Sequence, residues 1–200
     1  MSMNGTETTH PRPGDALIVV DVQNDFLPGG TLGVADGDAV LPVLNEYLAR
    51  FAQEGLSIYA TRDWHPRDHC SFRGQGGPWP PHCIADSDGA NFAAGLQLPS
   101  TTHVISKATT AERDAYSGFE GTDLDRQLRE AGLHRLWIGG LATDYCVLNT
   151  VRDALQRGYE VMLLTDAVRA VNVQPHDGEA AAAEMLRLGA QAMTLGRLDP

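Results

Sequence analysis

Short apolar runs alternating with amphipathic stretches set the rhythm of this chain. Residues 16–20 (Ala-Leu-Ile-Val-Val) form an uninterrupted apolar run, the pattern of a strand buried on both faces. Residues 56–61, 103–106, 136–138, 160–164 and 192–195 repeat the pattern and predict five more strands. Between them, Val40, Val43, Leu44, Tyr47, Leu48 and Phe51 recur at helical spacing, and Gly55 stops that helix. Residues 117–121 turn into a second helix faced by Leu124, Leu128 and Leu133. A third helix begins near Thr143, with Val147, Val151, Ala154 and Leu155 on its apolar face. An Ala-rich fourth runs over 177–188. The weakest expected element is a short helix over 91–96. Gly139 and Gly140 are expected to break the fourth strand. Strands alternating with helices imply parallel pairing and right-handed crossovers, hence a three-layer α/β/α fold in a single domain, residues 14–200.

Composition narrows the function. The formal net charge is -11, which disfavours nucleic acid and anionic membrane as partners. No apolar run approaches transmembrane length. Residues 1–13 are polar and lack the basic start and apolar centre of a signal peptide, so they read as a loose tail on a cytoplasmic protein. Three cysteines do not make a disulfide framework.

The chemistry gathers where strands end. Asp21, Asp63, Lys107 and Cys146 each lie at or just after a predicted strand's carboxyl end, the rim where open α/β sheets bind ligands. Cys146 falls in the first turn of a helix. Free N–H groups and the helix dipole there favour a thiolate and can hold an oxyanion, although a small packing residue would suit the same position. No histidine flanks it. Asp21 is the candidate base, and Lys107 would offset the resulting charge; a buried Asp–Lys pair beside a bystander cysteine is the alternative. Asp63 and His65 are two apart at a strand end and can point the same way. His69 and His82 lie on the Gly- and Pro-rich stretch that follows. Carboxylate plus imidazole suits one divalent metal ion, zinc first, with iron or manganese as alternatives. Cys70 and Cys83 stand beside His69 and His82 as ligands or a disulfide pair.

Six segments then resemble the nicotinamidase (pyrazinamidase) branch of the isochorismatase-like cysteine hydrolases. They are Val20 to Phe26, Asp63-Trp64-His65, Trp79 to Cys83, Lys107, Tyr116 to Phe119, and Gly140 to Val147, in that order. The resemblance implies a six-stranded, mainly parallel sheet of order 3-2-1-4-5-6 and a catalytic triad of Asp21, Lys107 and Cys146. It also implies an oxyanion hole from the Ala142 and Cys146 amides with a cis Leu141–Ala142 bond. The implied metal ligands are Asp63, His65 and His82, with His69 as the fourth position. Phe26, Trp79, Tyr116 and Leu141 are the implied substrate contacts, and Asn24 an orienter of Asp63 or of a metal-bound water. The implied substrate is a small aromatic amide: nicotinamide, or its pyrazine analogue, hydrolysed to the acid and ammonia through a thioester. A homo-oligomer is compatible with this reading. Two alternatives keep parts of the pattern. One is a relative acting on a ureido or carbamoyl amide or an isochorismatase-type ether, which needs no metal. The other is a catalytically silent metal- or nucleotide-binding module, against which stand the co-occurrence of Asp21, Lys107 and Cys146 and the lack of a dinucleotide-binding glycine pattern.

Overall fold

A computed structural model describes residues 9–198. Six strands form one sheet of order β3-β2-β1-β4-β5-β6, and every pairing is parallel. The strands are β1 (Asp15–Val20), β2 (Ser57–Asp63), β3 (His103–Lys107), β4 (Arg135–Leu141), β5 (Glu160–Arg169) and β6 (Gln191–Met193). The helices are α1 (Val40–Gln53), α2 (Leu124–Glu130), α3 (Leu148–Gln156) and α4 (Asp177–Arg187). No helix among the described residues is long and apolar enough to cross a membrane.

β1 is wholly buried because its alternate residues serve opposite faces. Ala16, Ile18 and Val20 pack with Leu124, Leu128, Val151 and Met185 from α2, α3 and α4. Leu17 and Val19 pack with Leu44, Tyr47, Leu48 and Phe51 from α1, and with Ala93 and Leu96 of the loop before β3. The chain reverses its order of strand addition between β1 and β4, so a crevice opens at their carboxyl ends.

Several elements differ from expectation. β4 runs straight through Gly139 and Gly140. Gly140 has φ of +126°, and a Cβ there would stand 2.1 Å from the Val20 carbonyl oxygen, so this position serves close approach of β4 to β1 rather than a strand end. β5 continues past Leu164 because it bulges: Ile138 pairs with Leu163, but Gly140 pairs with Val168. Asp166, inside that bulge, accepts hydrogen bonds from the Tyr47 hydroxyl and the Leu195 amide. The helix expected over 91–96 is absent; a single 3-10 turn, Asp88–Ala90, precedes it. Cys146 lies in a π-helical turn, Thr143–Val147, that leads into α3 rather than in the first α-helical turn. Of the expected tail, residues 1–8 lie outside the described residues. Residues 9–13 are anchored: the Thr9 amide donates to the Arg197 carbonyl, Pro11 is buried, and the His10 carbonyl accepts from Arg135.

Candidate active site

Asp21 follows β1 directly, with φ of +48° and no solvent exposure. The turn at this residue swings the chain off the sheet and points the carboxylate into the crevice. One oxygen, Oδ1, accepts from the Thr61 hydroxyl at 2.6 Å. The other, Oδ2, has the Lys107 Nζ at 3.0 Å but no aligned hydrogen-bond donor. Lys107 ends β3 and reaches across β2. Its ammonium also bonds the Asp63 carboxylate, donates to the Ala115 carbonyl at 3.0 Å, and lies 3.5 Å from the Cys146 sulfur. One carboxylate oxygen each from Asp21 and Asp63 and the Cys146 sulfur all lie within 4.8 Å of one another. The structure therefore brings the acid, the amine and the thiol from β1, β3 and the turn after β4 into one cluster.

Burial governs the electrostatics. It pushes the Cys146 thiol well above its usual value, against the pull of the Lys107 ammonium, so the resting thiol holds its proton. It raises Asp21 too, with Lys107 pulling the other way and the Asp63 charge adding to the rise. Burial works against charge on Lys107, but Asp21, Asp63 and Cys146 outweigh it and hold the amine protonated. For Asp63 burial is again overcome, by Lys107 and His65, and the carboxyl sits below the usual carboxylate range.

A second cluster adjoins the first. Asp63, His65 and His82 each offer one ligand atom, all within 4.8 Å of one another. Short backbone pairing builds this group: the His65 amide donates to the Cys83 carbonyl, and the Ala85 amide donates to the His65 carbonyl, which lays the His82 segment beside β2's extension. His65 Nδ1 faces the Ala108 carbonyl at 3.1 Å and His82 Nδ1 faces the Pro80 carbonyl at 2.8 Å. With the proton on each Nδ1, the lone pair falls on Nε2, the arrangement metal-binding imidazoles adopt. His65 Nε2 is buried without a hydrogen-bond partner, and burial holds His82 below its usual value, hence neutral. An orphaned imidazole nitrogen beside a carboxylate and a second imidazole fits a divalent cation.

His69 does not join this group. Its Nε2 meets the Arg113 carbonyl at 3.0 Å and its Nδ1 meets the Ser71 hydroxyl at 2.7 Å, so both nitrogens are engaged. Its ring instead stacks on His65, centroids 4.1 Å apart. Asn24 does not reach Asp63 either; its side-chain amide donates to the Asp88 carbonyl. Cys70 and Cys83 are free thiols.

A pocket of about 470 Å³, counting its open mouth, joins the two clusters. Asp63, His82, Ala142 and Cys146 line its inner end; Phe26, Trp79, Tyr116 and Tyr145 supply aromatic walls, with Leu32, Val34 and Val171 closing the remainder. Trp79 Nε1 donates to the Tyr116 hydroxyl at 3.1 Å, and Tyr145 packs edge-on to Trp79. The Leu141 side chain is absent from this lining; strand alternation turns it into the core beside α1. The Leu141–Ala142 bond is cis. The Ala142 carbonyl accepts from the Tyr145 and Val147 amides, passing over the Cys146 amide between them. Three contributors escaped sequence reasoning. Tyr145 precedes the cysteine directly and was legible as an aromatic at the rim. Thr61 and Gln23 carry no signal in periodicity, because their roles depend on which strands lie side by side.

Known proteins give the same picture. The family described as isochorismatase domain matches residues 15–196. The nicotinamidase of Escherichia coli is 39% identical over 204 residues, covering 92% of this chain and 96% of its own. The crystal structure of the pyrazinamidase of Pyrococcus horikoshii in complex with zinc superposes with a TM-score of 0.88 at 50% identity, covering 92% of this chain and 100% of that one. PnC1 from L. infantum, solved in complex with nicotinate, gives a TM-score of 0.88 at 37% identity, covering 96% and 98%. With its strand order, its rim of acid, amine and thiol, and a family match over nearly all its length, this chain belongs to the isochorismatase family.

Proposed function

We propose that this chain is an amidohydrolase that converts nicotinamide to nicotinate and ammonia, and accepts pyrazinamide as well. One observation carries the reading: a buried thiol beside a carboxylate and an ammonium lines an aromatic pocket that also takes in Asp63 and His82 of the Asp-His-His group. A flat heteroaromatic amide suits that pocket, its carboxamide toward Cys146 and its ring nitrogen toward His82 and Asp63.

Asp21, whose proton affinity burial has raised, takes the proton of Cys146. The sulfur attacks the carboxamide carbon, and the amides of Ala142 and Cys146 stabilise the oxyanion. The C–N bond breaks as Asp21 returns the proton to nitrogen, releasing ammonia and leaving a thioester. Asp21 then deprotonates a water, which attacks the thioester carbon; the C–S bond breaks and the proton restores the thiol. Lys107 holds Asp21 and the sulfur in register throughout. Asp63, His65 and His82 would hold the metal, zinc first, and when bound it supplies a Lewis acid that anchors the ring nitrogen. The three free thiols suit a reducing compartment such as the cytoplasm.

An ammonia-release assay across nicotinamide, pyrazinamide and a ureido amide tests the reading. Turnover is expected for the first two, with loss of at least ~10-fold on chelation and recovery with zinc. Turnover of the ureido amide alone, untouched by chelation, would move the chain to the metal-free amidases of the same fold.

A further inference from the structure

We infer that Gln23 is the positioning residue of the whole site, acting through the backbone of Asp63. The inference rests on the proposed function, because it gives Asp63 its role beside both the metal and Lys107.

β1 and β2 pair as far as Val20 and Thr61, and the Asp21 amide still donates to the Thr61 carbonyl. The chain then turns away, so β2 continues for two residues with no strand on that side. In a parallel strand, residues two apart present their amide and carbonyl to the same neighbour. The N–H and C=O of Asp63 thus face the gap that β1 has vacated. Gln23 fills it with its side chain. Its Oε1 accepts from the Asp63 N–H at 2.8 Å, and its Nε2 donates to the Asp63 carbonyl at 2.8 Å. One primary amide replaces the missing strand at a single position. The second Nε2 hydrogen goes to the Ala90 carbonyl at 2.9 Å, which ties down the turn Asp88–Ala90. In that turn, Gly89 lies so close to Asp25 that a Cβ would meet its carboxylate at 2.2 Å, and Asp25 accepts from the Cys83 amide, next to His82. Gln23 is fully buried, and all three of its side-chain bonds go to backbone.

The side Gln23 does not hold is held by β3, where Asp63 aligns with Lys107. Gln23 holds the Asp63 amide and carbonyl, β3 holds the residue that follows through the Trp64 amide donating to the Lys107 carbonyl, and the Asp63 carboxylate is aimed at once toward the Lys107 ammonium and toward His65. A residue free to rotate there would satisfy one partner at the other's expense.

Zinc affinity separates positioning from mere structure. Gln23→Met removes all three bonds at similar volume. It is expected to weaken zinc binding ~10–100-fold in competition with a chromophoric chelator. At saturating zinc it should also lower kcat for nicotinamide more than it raises KM, because Lys107 loses its fixed partner. Leu128→Ala, a core deletion in α2, is the control: it should lower Tm at least as much as Gln23→Met while leaving zinc affinity unchanged. Folded Gln23→Met with wild-type zinc affinity overturns the inference, as does an equal loss in Leu128→Ala. Should Gln23→Met not fold, Gln23→Glu carries the test with the same outcomes: it keeps the acceptor for the Asp63 N–H and opposes its carbonyl with a carboxylate oxygen. Wild-type protein that fails to bind zinc overturns the metal reading itself, and this inference falls with it; wild-type binding with an unaffected variant overturns the inference alone.

Discussion

β1 carries a buried aspartate at each end, and the two are handled in opposite ways. Asp15, at its start, accepts from Arg135 Nε at 2.8 Å, Arg135 Nη2 at 2.5 Å, Trp137 Nε1 at 3.0 Å and the Arg12 amide at 3.1 Å. Both its oxygens hold fixed donors, one at Oδ1 and three at Oδ2. Asp21, just past the end, has one hydroxyl donor on one oxygen and an unaligned ammonium near the other, with a thiol within reach. The same side chain at either end of one strand is structural when both oxygens hold fixed donors and chemically poised when one oxygen lacks them. Fixed donors on both oxygens, rather than burial or charge pairing, distinguish the two.

The largest blow to the poised end is Cys146→Ala. Ammonia release is expected to fall by ~10⁴-fold or more with Tm unchanged, since the sulfur makes no bond the fold depends on. Wild-type turnover in that variant would remove the thiol from the chemistry. The matched pair Asp21→Asn and Asp15→Asn sharpens the contrast. Asp21→Asn should lower kcat by ~10²–10⁴-fold and leave melting nearly unchanged. Asp15→Asn strands the Arg135 charge and should cost about 3–5 kcal/mol of stability by denaturant titration, with normal kcat per folded molecule. Equal effects of the two on kcat would erase the distinction. The smallest effects come from two tryptophans, each donating its indole N–H at one end. Trp79→Phe frees the Tyr116 hydroxyl and should raise KM for nicotinamide about 2–10-fold. Trp137→Phe takes a donor from Asp15 and should appear as a lower Tm with KM unmoved.

Much of this was legible in the chain. Apolar runs such as residues 16–20 mark buried parallel strands because both faces are covered, and polar residues directly after such runs stand out as rim residues. That logic picks out Asp21, Asp63, Lys107 and Cys146. What escaped it depends on neighbours remote in sequence. Gly140 reads as a strand breaker until β1 lies beside it at contact distance. His69 looks like a ligand until Arg113 and Ser71 occupy both its nitrogens. Leu141 sits next to a pocket residue, yet strand alternation sends its side chain to the opposite face. Gln23 is one polar residue among several, and its partner is 40 positions away.

The depth of Cys146 also decides what else can reach it. Only 6% of the residue is open, and Phe26, Trp79, Tyr116 and Tyr145 stand around the way in. A sulfur this buried offers little surface to bulky electrophiles or disulfides. The sulfur proposed as the nucleophile is thereby less open to thiol exchange than a surface cysteine would be.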